Sequence, residues 1–294
     1  MRLPLAALAF LALCVGCGSQ RGTLDRLWHA SKQAVVLIPG TSDYAPGDVR
    51  VSFLVVTNQG RAVNTPTADV WVARSRGDVP FTHTLAHLER VGVPGGEGAA
   101  NVTRIYVAHV RIRRPGTYWL LARPVGGSVR ISGIRDLEVR SRTATPAIGA
   151  RAIPSRTPTL GTEPIGKLTT SVPPDRALLR YSVAGSLHAH VPFVLVFATP
   201  RFCTSRTCGP VVDVVNSVRR AYAQTRVRFI HVEIYRDNDP NKGENQWVRQ
   251  WHLPTEPWIF LVGADGRIKG KFEGAVSRGE LAAAVRRDLL SASS

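Results

Sequence analysis

The sequence predicts two folded units, an all-β one followed by an α/β one. Three observations predict them. Short apolar or alternating segments recur between 34 and 140, separated by Gly- and Pro-containing turns. Residues 141–174 hold Pro146, Pro154, Pro158, Pro164, Pro173 and Pro174 among Ser, Thr and Gly, the composition of a semi-extended linker. From 175 onward, apolar strands alternate with helical periodicities. The chain has 294 residues, room for about two domains. With 44% hydrophobic and 20% charged residues it is globular in composition, which excludes a disordered chain. No repeat at a solenoid or propeller period is visible.

In the first unit Gln33–Ile38 is an apolar run. Asp48–Thr57 places Val49, Val51, Phe53 and Val55 on one side and ends in the turn signal Asn58-Gln59-Gly60. Ala68–Ala73, Arg104–Ile112, Thr117–Ala122 and Val129–Val139 follow as strands. His83 and His87 lie four apart near Glu89 and read as part of a polar loop; only a helix there would let them bind a metal. In the second unit Tyr181–His188 fits a short helix and Pro192–Ala198 a strand buried on both faces. Val211, Val215, Val218 and Tyr222 recur at helical spacing from Cys208. Val227–Tyr235 is the next strand, Asn245–Trp251 a helical turn or two, and Trp258–Val262 and Arg267–Phe272 a hairpin about Ala264-Asp265-Gly266. Ser277 and Glu280 form a capping box for a last helix carrying Leu281, Val285 and Leu289.

Arg2 precedes the apolar run Leu3 to Val15, then Gly16-Cys17-Gly18-Ser19, the pattern of a secretory signal. Cys14-Val15-Gly16-Cys17 resembles a bacterial lipoprotein box, which implies a lipid on Cys17, with 1–17 as signal and 18–33 as tether. An ordinary cleaved signal and an uncleaved anchor are the competing readings. Each places the rest of the chain outside the cytoplasm, anchored to the membrane in the lipoprotein case, in a compartment where disulfides persist. Of four Cys, that leaves Cys203 and Cys208 in the exported part. The net charge is +17, carried by 33 Arg and 5 Lys spread along the chain. Dispersed Arg reads as a solvated surface. Attraction to an anionic membrane or cell wall is the sharper reading, and no nucleic-acid partner is expected.

Arg114-Pro115-Gly116-Thr117-Tyr118 resembles the corner of immunoglobulin-like sandwiches, which implies such a sandwich over 34–140 with Tyr118 bonding back to the chain. Over roughly 178–292 the order helix, strand, helix, strand, helix, hairpin, helix resembles thioredoxin. The residues that carry it are Phe197-Ala198-Thr199-Pro200, Cys208-Gly209-Pro210, Thr255-Glu256-Pro257, Gly263-Ala264-Asp265-Gly266 and Ser277-Arg278-Gly279-Glu280-Leu281. The resemblance implies an α/β domain over 175–294, a mixed sheet flanked by helices, with Pro257 cis beside the reactive sulfur. Thr255, Pro257, Gly209 and Pro210 would then line the client site.

A Cys at a helix start faces unpaired amides and the positive end of the helix dipole, which favour thiolate. On that argument Cys208 is the nucleophile and Cys203 the resolving thiol; the reverse assignment stays open. Three departures from the family stand out. Position 211 is Val, so the pair is Cys203-x4-Cys208. No buried acid precedes the active-site loop, which leaves Glu256 as proton acceptor. Thr199-Pro200-Arg201-Phe202 replaces the usual Trp before the first Cys. The leading expectation is a membrane-anchored extracytoplasmic thiol–disulfide oxidoreductase acting on client proteins, without a cofactor or resident metal. The alternatives are an inert binding module with a structural disulfide and a copper-handling protein using His231 or His252. A peroxidase pattern does not fit the spacing. His188 and His190 read as a solvated turn, and Trp247, Trp251 and Trp258 as core or as a client rim. Asn101-Val102-Thr103 matches a glycosylation sequon.

Overall fold

The computed structural model describes residues 22–93, 102–126 and 131–291. Cys14, Cys17 and Asn101 lie outside them. The chain is mostly β and 22% helical, which corrects the predicted fold class in both units.

The first unit is not a two-sheet sandwich. After helix α1 (Leu24–His29) come β1 (Gln33–Ala34), β2 (Val36–Pro39), β3 (Gly47–Val56), β4 (Thr67–Ala73), β5 (Thr82–Arg90), β6 (Arg104–Ile112), β7 (Gly116–Pro124) and β8 (Ile131–Val139). They form one mixed sheet in the order β1-β8-β7-β4-β5-β6-β3-β2. Two features account for the difference. The segment expected as a polar loop is strand β5, which bridges β4 and β6. The run Gln33–Pro39 divides at Val35, so that β1 pairs parallel with β8 and β2 pairs antiparallel with β3. One continuous segment thus joins both ends of the sheet and nearly closes it. Val49, Val51, Phe53 and Val55 point into the single core with Tyr106, Leu120 and Leu137. The Tyr118 hydroxyl donates to the Arg114 carbonyl at 2.7 Å, holding the β6–β7 corner.

The second unit carries α2 (Ile165–Leu168), α3 (Val183–His188), β9 (Phe193–Phe197), α4 (Cys208–Ala221), β10 (Arg228–Val232), α5 (Gln246–Gln250), β11 (Trp258–Val262), β12 (Ile268–Glu273) and α6 (Arg278–Val285). Its four strands run in the order β10-β9-β11-β12, with β10 parallel to β9 and the rest antiparallel. Val194, Val196, Ile259 and Leu261 face α4 and α6. The opposite face, Phe193, Leu195, Phe197 and Phe260, is covered by Ala152, Trp251, Leu253 and two helices of only six and five residues. Loop and aromatic packing stand where flanking helices were expected. The Ser277–Glu280 capping box forms in both directions.

The Pro-rich segment is packed along this sheet. The Gly149 and Ala152 amides donate to the Ile268 and Gly266 carbonyls, and Ile268 donates back to Ala150. The two units also bond directly. Buried Glu273, at the end of β12, accepts from the Ser42 amide and hydroxyl, the Asp43 amide and the Thr255 hydroxyl at 2.7–2.9 Å. Arg50 on β3 forks onto Glu280 at 2.6 and 3.0 Å and donates to the Ala275 carbonyl. Gly274, with φ +68, sits so close that a Cβ there would collide with the Gly40 carbonyl oxygen. Removing Glu273 takes the shared acceptor from four donors at the interface. Glu273→Ala should therefore lower the unfolding free energy by about 3 kcal/mol in urea titration, with Glu138→Ala on the exposed sheet face nearly neutral.

Candidate functional site

The strand β9 is buried throughout and delivers the loop 199–207 to the end of its sheet. Arg206 takes a left-handed conformation, φ +57, which turns the loop back before α4 begins. Cys203 comes to lie over the first amide of that helix, and the Cys208 N–H donates to Cys203 Sγ at 3.2 Å. Thr207, the residue at the N-cap, makes no side-chain cap, so the sulfur takes an acceptor role at the helix start. The Ser205 hydroxyl lies 3.2 Å from the same sulfur and donates to the Glu256 carbonyl at 3.2 Å. The Glu256–Pro257 bond is cis. The Thr204 amide donates to Glu256 Oε1 at 3.1 Å, while Glu256 Oε2 is buried without a partner.

This geometry separates the two thiols. Cys208 is fully buried in the core beneath α4, and burial pushes its thiol well above the ordinary range, with the hydrogen bond to Cys203 and its charge adding to the effect. Cys203 is partly exposed and is lowered to about 6, chiefly through its side-chain hydrogen bond with Cys208, against burial, and then through those with Ser205 and the Cys208 and Thr207 backbones. Both are free thiols. The helix-start argument is sound in kind, but its beneficiary differs. The first amide points at the sulfur that precedes the helix, not at the sulfur of the residue that opens it. Burial raises Glu256 to about 7 against the hydrogen bonds from Thr204, and Cys203's charge contributes.

Cys203, Cys208 and Glu256 offer ligand atoms within 4.8 Å of one another, the one converging group of His, Cys, Asp or Glu among the described residues. Two thiolates and a carboxylate form a donor set that a soft cation would accept. His231 and His252 do not join it, which removes the histidine route to copper. His231 is buried with Nε2 2.9 Å from the Ala198 carbonyl oxygen. His83 stacks on Trp71 and lies 2.8 Å from Asp69 Oδ1, on a strand rather than a helix. His188 and His190 are exposed.

Of the remaining expected site residues, Glu256 bonds the thiol loop, Pro257 follows it across the cis bond with its carbonyl accepting from the Gly274 amide, and Gly209 and Pro210 lie in the first turn of α4. Pro210 is buried close to Gly92, at the end of β5. Thr255 donates to Glu273 and accepts from Trp258 Nε1 at 3.1 Å, so its hydroxyl is engaged in the interface. Trp251 and Trp258 are core residues, not a rim. A cleft of about 320 Å³ opens beside Glu256, Ser205 and Thr207, walled across the unit boundary by Ile38, Leu54 and Ile105. Sequence reasoning missed Glu233. It is buried, accepts from the Thr170 amide and hydroxyl, and leaves Oε2 unpartnered. Thr170 Oγ1 in turn accepts from the Arg201 amide of the thiol loop. A lone acid inside the apolar run 227–235 was the available signal.

The thiolate absorbance of Cys203 should titrate with a midpoint near 6, and Cys208→Ala should move that midpoint up toward the ordinary value of 9. Ser205→Ala should move it in the same direction by less. The measurement is the ultraviolet thiolate titration of the protein with Cys208 present, of Ser205→Ala and of Cys208→Ala, the raised Cys208 thiol staying protonated across the range read.

No protein-family model matches the chain, and no curated protein matches its sequence.

Proposed function

We propose that this protein is a membrane-anchored, extracytoplasmic thiol–disulfide exchange protein whose clients are proteins bearing thiols or a disulfide. One observation carries the reading: a half-exposed sulfur held as thiolate by a second, buried thiol and a helix amide. The anchoring part rests on the apolar run Leu3 to Val15 and the lipoprotein-like Cys17.

The Cys203 thiolate attacks one sulfur of a client disulfide. A Cys203–client disulfide forms, the client S–S bond breaks, and the electron pair leaves on the second client sulfur, which takes a proton from solvent. Cys208 then gives its proton to the Glu256 carboxylate and attacks Cys203 Sγ. The first client sulfur departs as thiolate. The client has gained two electrons, and Cys203–Cys208 has become a disulfide. The reverse sequence oxidises a client dithiol. The relative reduction potentials of pair and client set the direction.

A second reading has its own observation, the convergence of Cys203, Cys208 and Glu256. In it a soft monovalent ion such as Cu(I) is the cargo, bound by the reduced pair.

The test is reduction of a disulfide-bearing model client by the reduced protein. Cys203→Ser should abolish exchange. Cys208→Ser should stop at a trapped client–Cys203 mixed disulfide, visible as a covalent adduct. Glu256→Gln should leave the first step unchanged and slow resolution by about 10²-fold, the scale of a lost proton acceptor. An adduct on Cys208 in the Cys203→Ser variant would overturn the assignment. Exchange that is absent in the wild type while Cu(I) binds the reduced pair would favour the second reading.

A further inference from the structure

The N-terminal chain is fastened to one end of the large sheet. The Leu24 and Asp25 amides of α1 donate to the Asp78 and Arg76 carbonyls of the β4–β5 loop at 2.9 and 2.8 Å. Arg76 binds Asp25 at 2.7 Å, and Leu24 is fully buried. The described chain therefore begins at this loop, with only four residues between Cys17 and Gly22 in the sequence.

The same end exposes apolar and cationic side chains together. Val79 is 47% and Phe81 48% exposed. They share a surface cleft with Arg74, Arg111 and Arg113. Arg114 is exposed beside them. Asp25 is engaged by Arg76 and Asp48 by Arg111 at 2.8 Å, and Asp78 lines the same cleft as Arg74 and Arg113. Exposed apolar tips ringed by Arg suit the headgroup zone of an anionic bilayer, where aromatic and aliphatic groups enter the interface and Arg meets lipid phosphate. The chain leading into this end is itself apolar.

We infer that the β4–β5 loop end of the eight-stranded sheet docks on an anionic lipid bilayer through Val79 and Phe81, framed by Arg74, Arg113 and Arg114, and holds the thiol site at the far end of the sheet. β5 runs from Thr82 at the docking end to Arg90, and Gly92 just beyond it packs on Pro210 in the first turn of α4. β6 runs back from Arg104, two residues after Val102, whose amide donates to the Arg206 carbonyl of the thiol loop, to Ile112, just before Arg113. Nine residues of extended strand span roughly 30 Å, so Cys203 stands about that far from the bilayer. The inference rests on the N-terminal anchoring proposed above and is independent of the thiol chemistry.

The experiment is flotation and hydrogen exchange of the full chain reconstituted with phosphatidylcholine vesicles, with and without phosphatidylglycerol as about one third of the lipid. The expected result is flotation in both, with exchange at 79–82 and 113–114 slowed by about tenfold in the anionic vesicles only. Val79→Asp with Phe81→Asp should remove that protection while flotation persists, and Val36→Asp, an exposed apolar position at the opposite end of the sheet, should not. Flotation without protection at 79–82, or protection that survives the double substitution, overturns the docking surface and leaves the anchor standing. A chain that does not float overturns both. Client reduction in free solution is the same in every one of these outcomes.

Discussion

Cys208 acts on Cys203 twice, through its thiol and through its amide, and the chemistry of the site depends on that pair of donations. Both are possible only because residue 208 opens α4. Its N–H has no partner within the helix, and its side chain turns into the core under β9 and β11. Burial keeps the Cys208 proton in place, so the thiol remains a donor, and the accepting sulfur becomes the anion. The asymmetry between the two sulfurs is thus one of position. One lies in the hydrocarbon side of a helix start and the other lies above its amides. Two thiols of equal exposure would compete for the same proton without a fixed order of attack.

The site is held by both units. Glu273 ties β12 to Ser42 and Asp43, and through Thr255 it fixes the turn that carries Glu256 and Pro257. Gly274 permits the backbone approach that a Cβ would block. The Val102–Arg206 hydrogen bond fastens the thiol loop to the end of β6. A separately tumbling first unit would release all three constraints. The wall that Ile38, Leu54 and Ile105 form opposite Glu256 makes the large sheet part of the cleft beside the thiol loop.

Most elements could be read in the sequence because side-chain burial enforces them. Val49 to Val55 alternates since one face of β3 is core, and Ser277 with Glu280 announces α6 through its cap. What could not be read depends on backbone. β5 buries only Ala86 fully, so no apolar pattern marks it, and its place is set by ladders to β4 and β6. Closure of the sheet turns on the break at Val35, which carries no Gly or Pro. The spacing of Cys203 and Cys208 made them a visible pair, and Glu256 was visible beside its proline. Which sulfur receives the helix amide was not. That depends on the positive φ of Arg206, a conformation its residue type does not signal. Glu233 was overlooked for a related reason, since its value lies in the Thr170 amide and hydroxyl that reach it from a distant segment, Thr170 in turn accepting from the Arg201 amide.

The placement of Glu256 links the two halves of the proposed exchange. Burial raises its carboxyl to about 7, and the anionic Cys203 sulfur adds to that rise, while Cys203 itself lies near 6. Between those values the proton resides on Glu256 and the charge on Cys203, the form needed for attack. For stability the two groups have opposite signs. Cys203, lowered in the fold, adds stability that is present above its unfolded value near 9 and is lost as pH falls through about 6. Glu256, raised in the fold, adds none above about 7 and favours the folded state below its unfolded value near 4.5. Once Cys203 enters a mixed disulfide its charge is gone. One contribution holding the proton on Glu256 and one holding the proton on Cys208 disappear together, since Cys203's charge raises both. Glu256 then becomes a carboxylate more readily at the moment when Cys208 must lose its proton. The first bond formed lowers the barrier to the second through electrostatics alone, without a movement of the fold.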